Sequence, residues 1–165
     1  MFSQNDGDTA IIELKIPVRA EYVSIARLTA AGVANRAGFD IEAIEDIKVA
    51  LSEVCNRIIN IFNRFSGEYR SECLIRFILE EDGLTIEFCV DQAEKLGYYM
   101  ARCASPHGED APDSDETWAC AGNDDEIYMK KYEDQIQLTF INALMDEFVI
   151  NPNASCLVSM KKFTE

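Results

Sequence analysis

The feature that most constrains this chain is the run DIEAIEDIKVALSEVCNRIINIF, residues 40–62. In it Ile44, Ile47, Leu51, Val54, Ile58 and Phe62 recur at helical spacing. A seam of that length requires a second layer to cover it, and Asp40 stands where an N-cap would start the helix, which the pattern carries to about Phe65. Off the seam, Glu53, Asn56, Arg57 and Asn60 fall at i, i+3, i+4 and i+7 and share a polar stripe. Such a stripe can be a working site, the remains of one, or a wetted helix face.

The other elements supply the layer. AIIELKIP alternates Ile12, Leu14 and Ile16 with polar residues and closes on Pro17, the pattern of a first strand. Glu21 to Ala37 is rich in helix formers, and Gly38 stands where a left-handed C-terminal cap belongs. SECLIRFILEEDGLTIEFCVD reads as two antiparallel strands about Glu81-Asp82-Gly83. QIQLTFINALMDEF has helical periodicity through Ile136, Phe140, Ala143 and Leu144, and FVINPNASCLVSMKKF reads as a closing hairpin about Asn151-Pro152-Asn153. Between them, residues 92–134 carry Pro, Gly, Ser and many carboxylates, the composition of a surface loop. The expected fold is one α/β domain over 1–165, a two-layer sandwich whose mostly antiparallel sheet carries its helices on one face.

Charge and cysteine usage narrow the function classes. The net charge of -15, from 30 acidic and 15 basic residues, repels phosphate polymers and anionic lipid, so neither nucleic acid nor membrane is an expected partner. MFSQNDGDTA has no basic or apolar signal region, and no apolar run approaches the roughly 20 residues of a span, so a soluble, cytoplasmic protein is expected. Cys55, Cys73, Cys89, Cys103, Cys120 and Cys156 contain no CxxC pair, and His107 is the single histidine. That spacing argues against a zinc site and reads as reduced thiols serving as small apolar fillers.

The run AEYVSIARLTAAGVANRAGFDIEAIEDIKVALSEVC, with NALMDEFVI further on, closely resembles the anti-sigma factor serine-protein kinases of the RsbW and SpoIIAB type, within the histidine-kinase-like ATPase superfamily. The resemblance implies that superfamily's fold, a sigma factor or an anti-anti-sigma protein as partner, and a homodimer. It also implies a chemistry: a glutamate base that takes the proton from a partner's serine, with ATP and Mg²⁺ as cofactors. Glu53 occupies the base position. One turn later, where the family has a Mg²⁺-binding asparagine, this chain has Arg57, a permanent cation with only donors. Asn56 and Asn60 offer amide oxygens but project about 100° to either side of that direction. A Glu53–Arg57 i,i+4 ion pair on an exposed helix would contribute about 0.2–0.5 kcal/mol.

Two further motifs depart from the family. Its Asp-x-Gly, which receives the adenine, reads Asp91-Gln92-Ala93, keeping the acceptor and losing the glycine. Its phosphate-cradling Gly-x-Gly reads Gln135-Ile136-Gln137, which places side chains where backbone N–H groups would meet phosphate. The lid-like loop at 92–134 carries Glu109, Asp110, Asp113, Asp115, Glu116, Asp124, Asp125 and Glu126. Folding such a loop over a triphosphate costs on the order of several kcal/mol for each like-charge encounter.

The resulting expectation is a regulatory protein of anti-sigma type. It binds a sigma factor or antagonist through a surface that includes Arg27, keeps Glu53 as a vestigial base, has lost Mg-ATP-dependent phosphotransfer and needs no cofactor. The alternative is an active serine-protein kinase that uses ATP and Mg²⁺ and phosphorylates an anti-anti-sigma factor, with Arg57 neutralising phosphate. A third reading places a cation or metabolite between Glu53, Arg57 and Asp91.

Overall fold

A computed structural model describes residues 9–65, 71–90, 136–151 and 154–164. Strand β1 (Ala10–Pro17) leads through a 3-10 turn (Ala20–Tyr22) into helix α1 (Val23–Arg36) and helix α2 (Ile41–Phe65). Strands β2 (Glu72–Glu80) and β3 (Gly83–Val90) form a hairpin. A third helix, α3, is described over 136–144 and precedes β4 (Glu147–Ile150) and β5 (Cys156–Phe163). The five strands lie in the order β1-β2-β3-β5-β4, every neighbouring pair antiparallel. The expected α/β sandwich is therefore the observed fold.

Local chemistry sets the joints. α1 stops at Gly38, whose φ of 88° suits a residue without Cβ. The Gly38 N–H donates to the Asn35 carbonyl and the Phe39 N–H to the Ala34 carbonyl, so two carbonyls of the last turn are satisfied as a Schellman cap requires. Two residues later Asp40 Oδ1 accepts from the Ala43 N–H at 2.8 Å and starts α2. The β2–β3 turn is the two residues Glu81 and Asp82, one shorter than the sequence reading, because Gly83 already pairs with Glu80 as the first residue of β3. A Cβ at Gly83 would run into the Lys162 carbonyl oxygen on β5, so glycine is what lets the two strands approach.

Alternation divides the sheet into two faces. Ile16, Cys73, Ile75, Phe77, Leu84, Ile86, Phe88, Val158 and Met160 are buried and join the α2 seam of Ile47, Leu51, Val54, Ile58 and Phe62 in one core. Ala26, Ala30, Val33 and Ala34 of α1 belong to the same core. In α3 the buried residues are Leu138 and Ile141, followed by Met145, with Leu144 half-buried. Ile136 and Phe140, read from the sequence as its apolar seam together with Ala143, are 55% and 47% exposed, and Ala143 is exposed as well. A stripe of several apolar residues can be drawn along either of two neighbouring helix faces, and packing into the common core selected the other one. The helix also ends at 144 rather than continuing to Phe148, where the Lys162 ammonium donates to the Leu144 carbonyl at 2.7 Å.

Among the described residues, no helix is long and apolar enough to cross a membrane. The acidic segment 92–134 lies outside the described residues.

Candidate functional site

The polar stripe of α2 is graded. Asn56 and Asn60 are exposed, Glu53 is half-buried, and Arg57 is 3% exposed. Arg57 is the one charged residue in the buried class among those described, and the residue has an interaction partner. A guanidinium withdrawn from water to this degree requires compensation from its surroundings and cannot behave as a surface charge. The ion pairs between described residues do not include one from Glu53 to Arg57. The exposed i,i+4 pair expected from sequence is thus replaced by an inward-facing arginine beside a half-buried carboxylate.

Of the remaining candidates, Gln137 is half-buried on the first described turn of α3. Asp91, Ala93 and Gln135 lie outside the described residues. Arg27 is exposed on α1 and has Leu28, 74% exposed, and Ile25, 45% exposed, for neighbours. Apolar residues held in water beside an arginine give α1 the composition of a contact surface. The α2 stripe is separate from a small apolar cavity lined by Ile16, Pro17, Val18, Arg19, Val23, Cys55, Ile58, Ile59 and Cys73. Its volume of ≈ 10 Å³ admits nothing larger than a water molecule.

The cysteines divide into two populations. Cys55 and Cys73 are buried free thiols, as expected of apolar fillers. Burial pushes the Cys73 thiol up to about 12, and it raises Cys55 further, with the neighbouring Cys73 adding to the effect. Cys89 and Cys156 correct the expectation of reduced thiols throughout, for they are joined as a disulfide across β3 and β5. Sixty-seven residues separate them in sequence, and strand pairing brings their Cα atoms to 4.0 Å. Spacing motifs detect only ligands close in sequence, so the signal that was available was the alternation that puts Glu87 and Cys89 on one face of β3. Cys103 and Cys120 lie outside the described residues.

A family model described as "Histidine kinase-like ATPase domain" matches residues 16–162, nearly the whole chain. The chain belongs to that family. Among its relatives within the family is a protein named "Serine-protein kinase RsbW" from Oceanobacillus iheyensis, 34% identical over 152 residues that cover 92% of this chain and 85% of the relative. A protein of the same name from Bacillus cereus is 36% identical over 155 residues, 93% of this chain and 85% of the relative. Another from Bacillus cereus is 53% identical over 75 residues, which are 46% of this chain and 45% of the relative.

Proposed function

We propose that this chain is a regulatory protein of the RsbW type that binds a sigma factor or its antagonist and no longer transfers phosphate from Mg-ATP. The observation that carries the second half of the reading is the burial of Arg57, at 3% exposure, at the position that follows Glu53 by one helical turn. In the family this resembles, that position holds the asparagine that binds Mg²⁺. A guanidinium offers no lone pair to a cation, and its own charge opposes one. Asn56 and Asn60 carry amide oxygens, but both side chains face solvent on either side of Arg57. The donor set on α2 therefore does not fit a magnesium ion. Glutamines in place of the two cradle glycines, at 135 and 137, support the same reading from sequence. Its first half rests on similarity over nine-tenths of the chain to the RsbW proteins, and on the exposed α1 surface of Arg27, Ile25 and Leu28. A homodimer in the cytoplasm completes the proposal by resemblance.

The second reading, an active serine-protein kinase, is favoured by Glu53. That residue is half-buried at the position where the resemblance places the base that takes the serine proton.

Thermal unfolding with and without Mg-ATP separates the two. Binding at 100 times Kd would add about 2.7 kcal/mol to stability and shift the midpoint visibly. The regulatory reading expects no shift, and phosphorylation of a serine on a co-purified antagonist would refute it. Restoring Arg57→Asn, Gln135→Gly and Gln137→Gly together is expected to recover nucleotide affinity. Arg27→Ala is expected to weaken capture of a sigma factor or antagonist while leaving the unfolding midpoint unchanged.

A further inference from the structure

The face of the sheet turned away from the helices holds a cluster that the regulatory reading does not use. Glu87 and Cys89 stand two residues apart on β3, and Cys156 faces them from β5. Their ligand atoms, one carboxylate oxygen and two sulfurs, all lie within 4.8 Å of one another, and all three residues are partly open to solvent.

A backbone irregularity assembles the cluster. Phe88 pairs with Val158, but Cys89 pairs with Cys156, so one residue of β5 is skipped between them. Regular alternation would turn Leu157 outward and Cys156 into the core. At the bulge Leu157 and Val158 are instead both fully buried, and Cys156 comes round to the face that carries Cys89 and Glu87. Bulges are the usual way in which a sheet re-aims a side chain next to a site.

We propose that Glu87, Cys89 and Cys156 form a redox-gated site for a thiophilic divalent cation of the zinc class, able to bind when the two cysteines are thiolates and closed when they are joined. The spacing suits such an ion. The Cys156 Sγ lies 3.8 Å from Glu87 Oε2, close to the edge of about 3.5–3.7 Å that a zinc tetrahedron with sulfur and oxygen corners requires. The Arg76 Nη1 donates to the same Oε2 at 3.0 Å. Two thiolates and the Glu87 carboxylate carry three negative charges, which a divalent cation and the Arg76 guanidinium, shared with Glu13, largely offset. Thiolate ligands select zinc over magnesium or calcium, which require six or more oxygens.

The gate is thiol–disulfide exchange with a low-molecular-weight disulfide. One cysteine thiolate attacks a sulfur of that molecule, forming a mixed disulfide and expelling one small thiolate. The other cysteine thiolate then attacks the protein sulfur of the mixed disulfide and expels the second. The two protein thiols are oxidised, the small disulfide is reduced to two thiols, and the cation leaves because disulfide sulfurs are not anionic ligands.

The test uses the full chain carrying Cys103→Ser and Cys120→Ser, which removes other thiols as ligands. Cobalt(II) is the probe, because thiolate ligation produces a near-ultraviolet charge-transfer band. The reduced protein is expected to bind one cobalt with that band and to release it to zinc. The band is expected to disappear on treatment with oxidised glutathione and to return on reduction, a cycle that needs no substitution within the cluster. Cys89→Ser and Cys156→Ser should each abolish it, and Glu87→Gln should weaken binding at least about tenfold. A reduced protein that re-forms its disulfide while binding neither cobalt nor zinc overturns the proposal. So does a band that persists in the Cys89→Ser/Cys156→Ser variant or in the oxidised protein.

Discussion

The two faces of the five-stranded sheet are built from the same strands and obey different rules. The face under the helices is a continuous apolar surface, with Ile75, Phe77, Ile86 and Phe88 fully buried at its centre. The opposite face is a patchwork in which Glu13, Arg76 and Glu87 stand side by side on β1, β2 and β3. Arg76 lies between the two carboxylates, with Nε 3.4 Å from Glu13 and Nη1 3.0 Å from Glu87. The cysteine pair flanks that row on one side, and on the other Lys161 bridges Glu80 and Asp82. The inner face is fixed by how much apolar area it removes from water, a requirement that many sequences meet. What the outer face can do depends on which residue stands opposite which, and a shift of one residue in register would undo it.

This contrast is broken most decisively by a truncation on the inner face. Phe77→Ala should destabilise the fold by about 3–5 kcal/mol in urea unfolding, the range for removing a buried aromatic ring. A loss of less than about 1 kcal/mol would mean that the helices are not what holds that face.

The cysteines sharpen the comparison, because Cys55 and Cys73 are buried in the core under the helices while Cys89 and Cys156 lie on the opposite face. In the folded chain burial keeps the Cys73 thiol protonated up to about 12, whereas the unfolded chain releases that proton near the ordinary value of 9.0. The native state therefore holds more protons than the unfolded state between those values, and stability must fall as pH rises from about 9 towards 12. Cys55, shifted in the same direction, adds to the slope. Urea midpoints measured at pH 7, 9 and 10.5 check the sign, and a Cys73→Ala variant should show a shallower fall. At neutral pH an alkylating reagent is expected to spare Cys55 and Cys73 in the native protein and to label Cys89 and Cys156 once they are reduced.

The same division explains what could be read from the sequence. β1, α1, its glycine cap, the Asp40 N-cap and the α2 seam were all legible, because each is written in residues fewer than five apart. For α3 the apolar residues announced a helix but not its buried side, since Leu138 and Ile141 join the core through tertiary packing that the local pattern does not encode. At the candidate site, the polar stripe of Glu53, Asn56, Arg57 and Asn60 was legible as a stripe. Its gradation from exposed Asn56 to buried Arg57 was not, because a helical wheel gives direction without depth. The cysteine pairing was invisible for the plainest reason: β3 and β5 are neighbours only after a chain of 67 residues has returned.

The smallest expected effect belongs to the outer face, and it tests whether that face is as open as its composition implies. A double-mutant cycle on Glu13→Ala and Arg76→Ala should give a coupling of about 0.2–1 kcal/mol, because exposed ion pairs are weakened by water and by the entropy of fixing long side chains. The Glu13 side chain is 55% exposed and that of Arg76 31%, so the pair sits in high dielectric on one side only. Salt should reduce the coupling further, since a pair in contact with solvent is screened within about 10 Å at 0.1 M ionic strength. A coupling well above 1 kcal/mol that resists salt would require water to be excluded from this row, which means another surface covering the sheet in solution. The ladder would then measure an interface rather than an open face, and its concentration dependence would show whether a second copy of the chain supplies the cover.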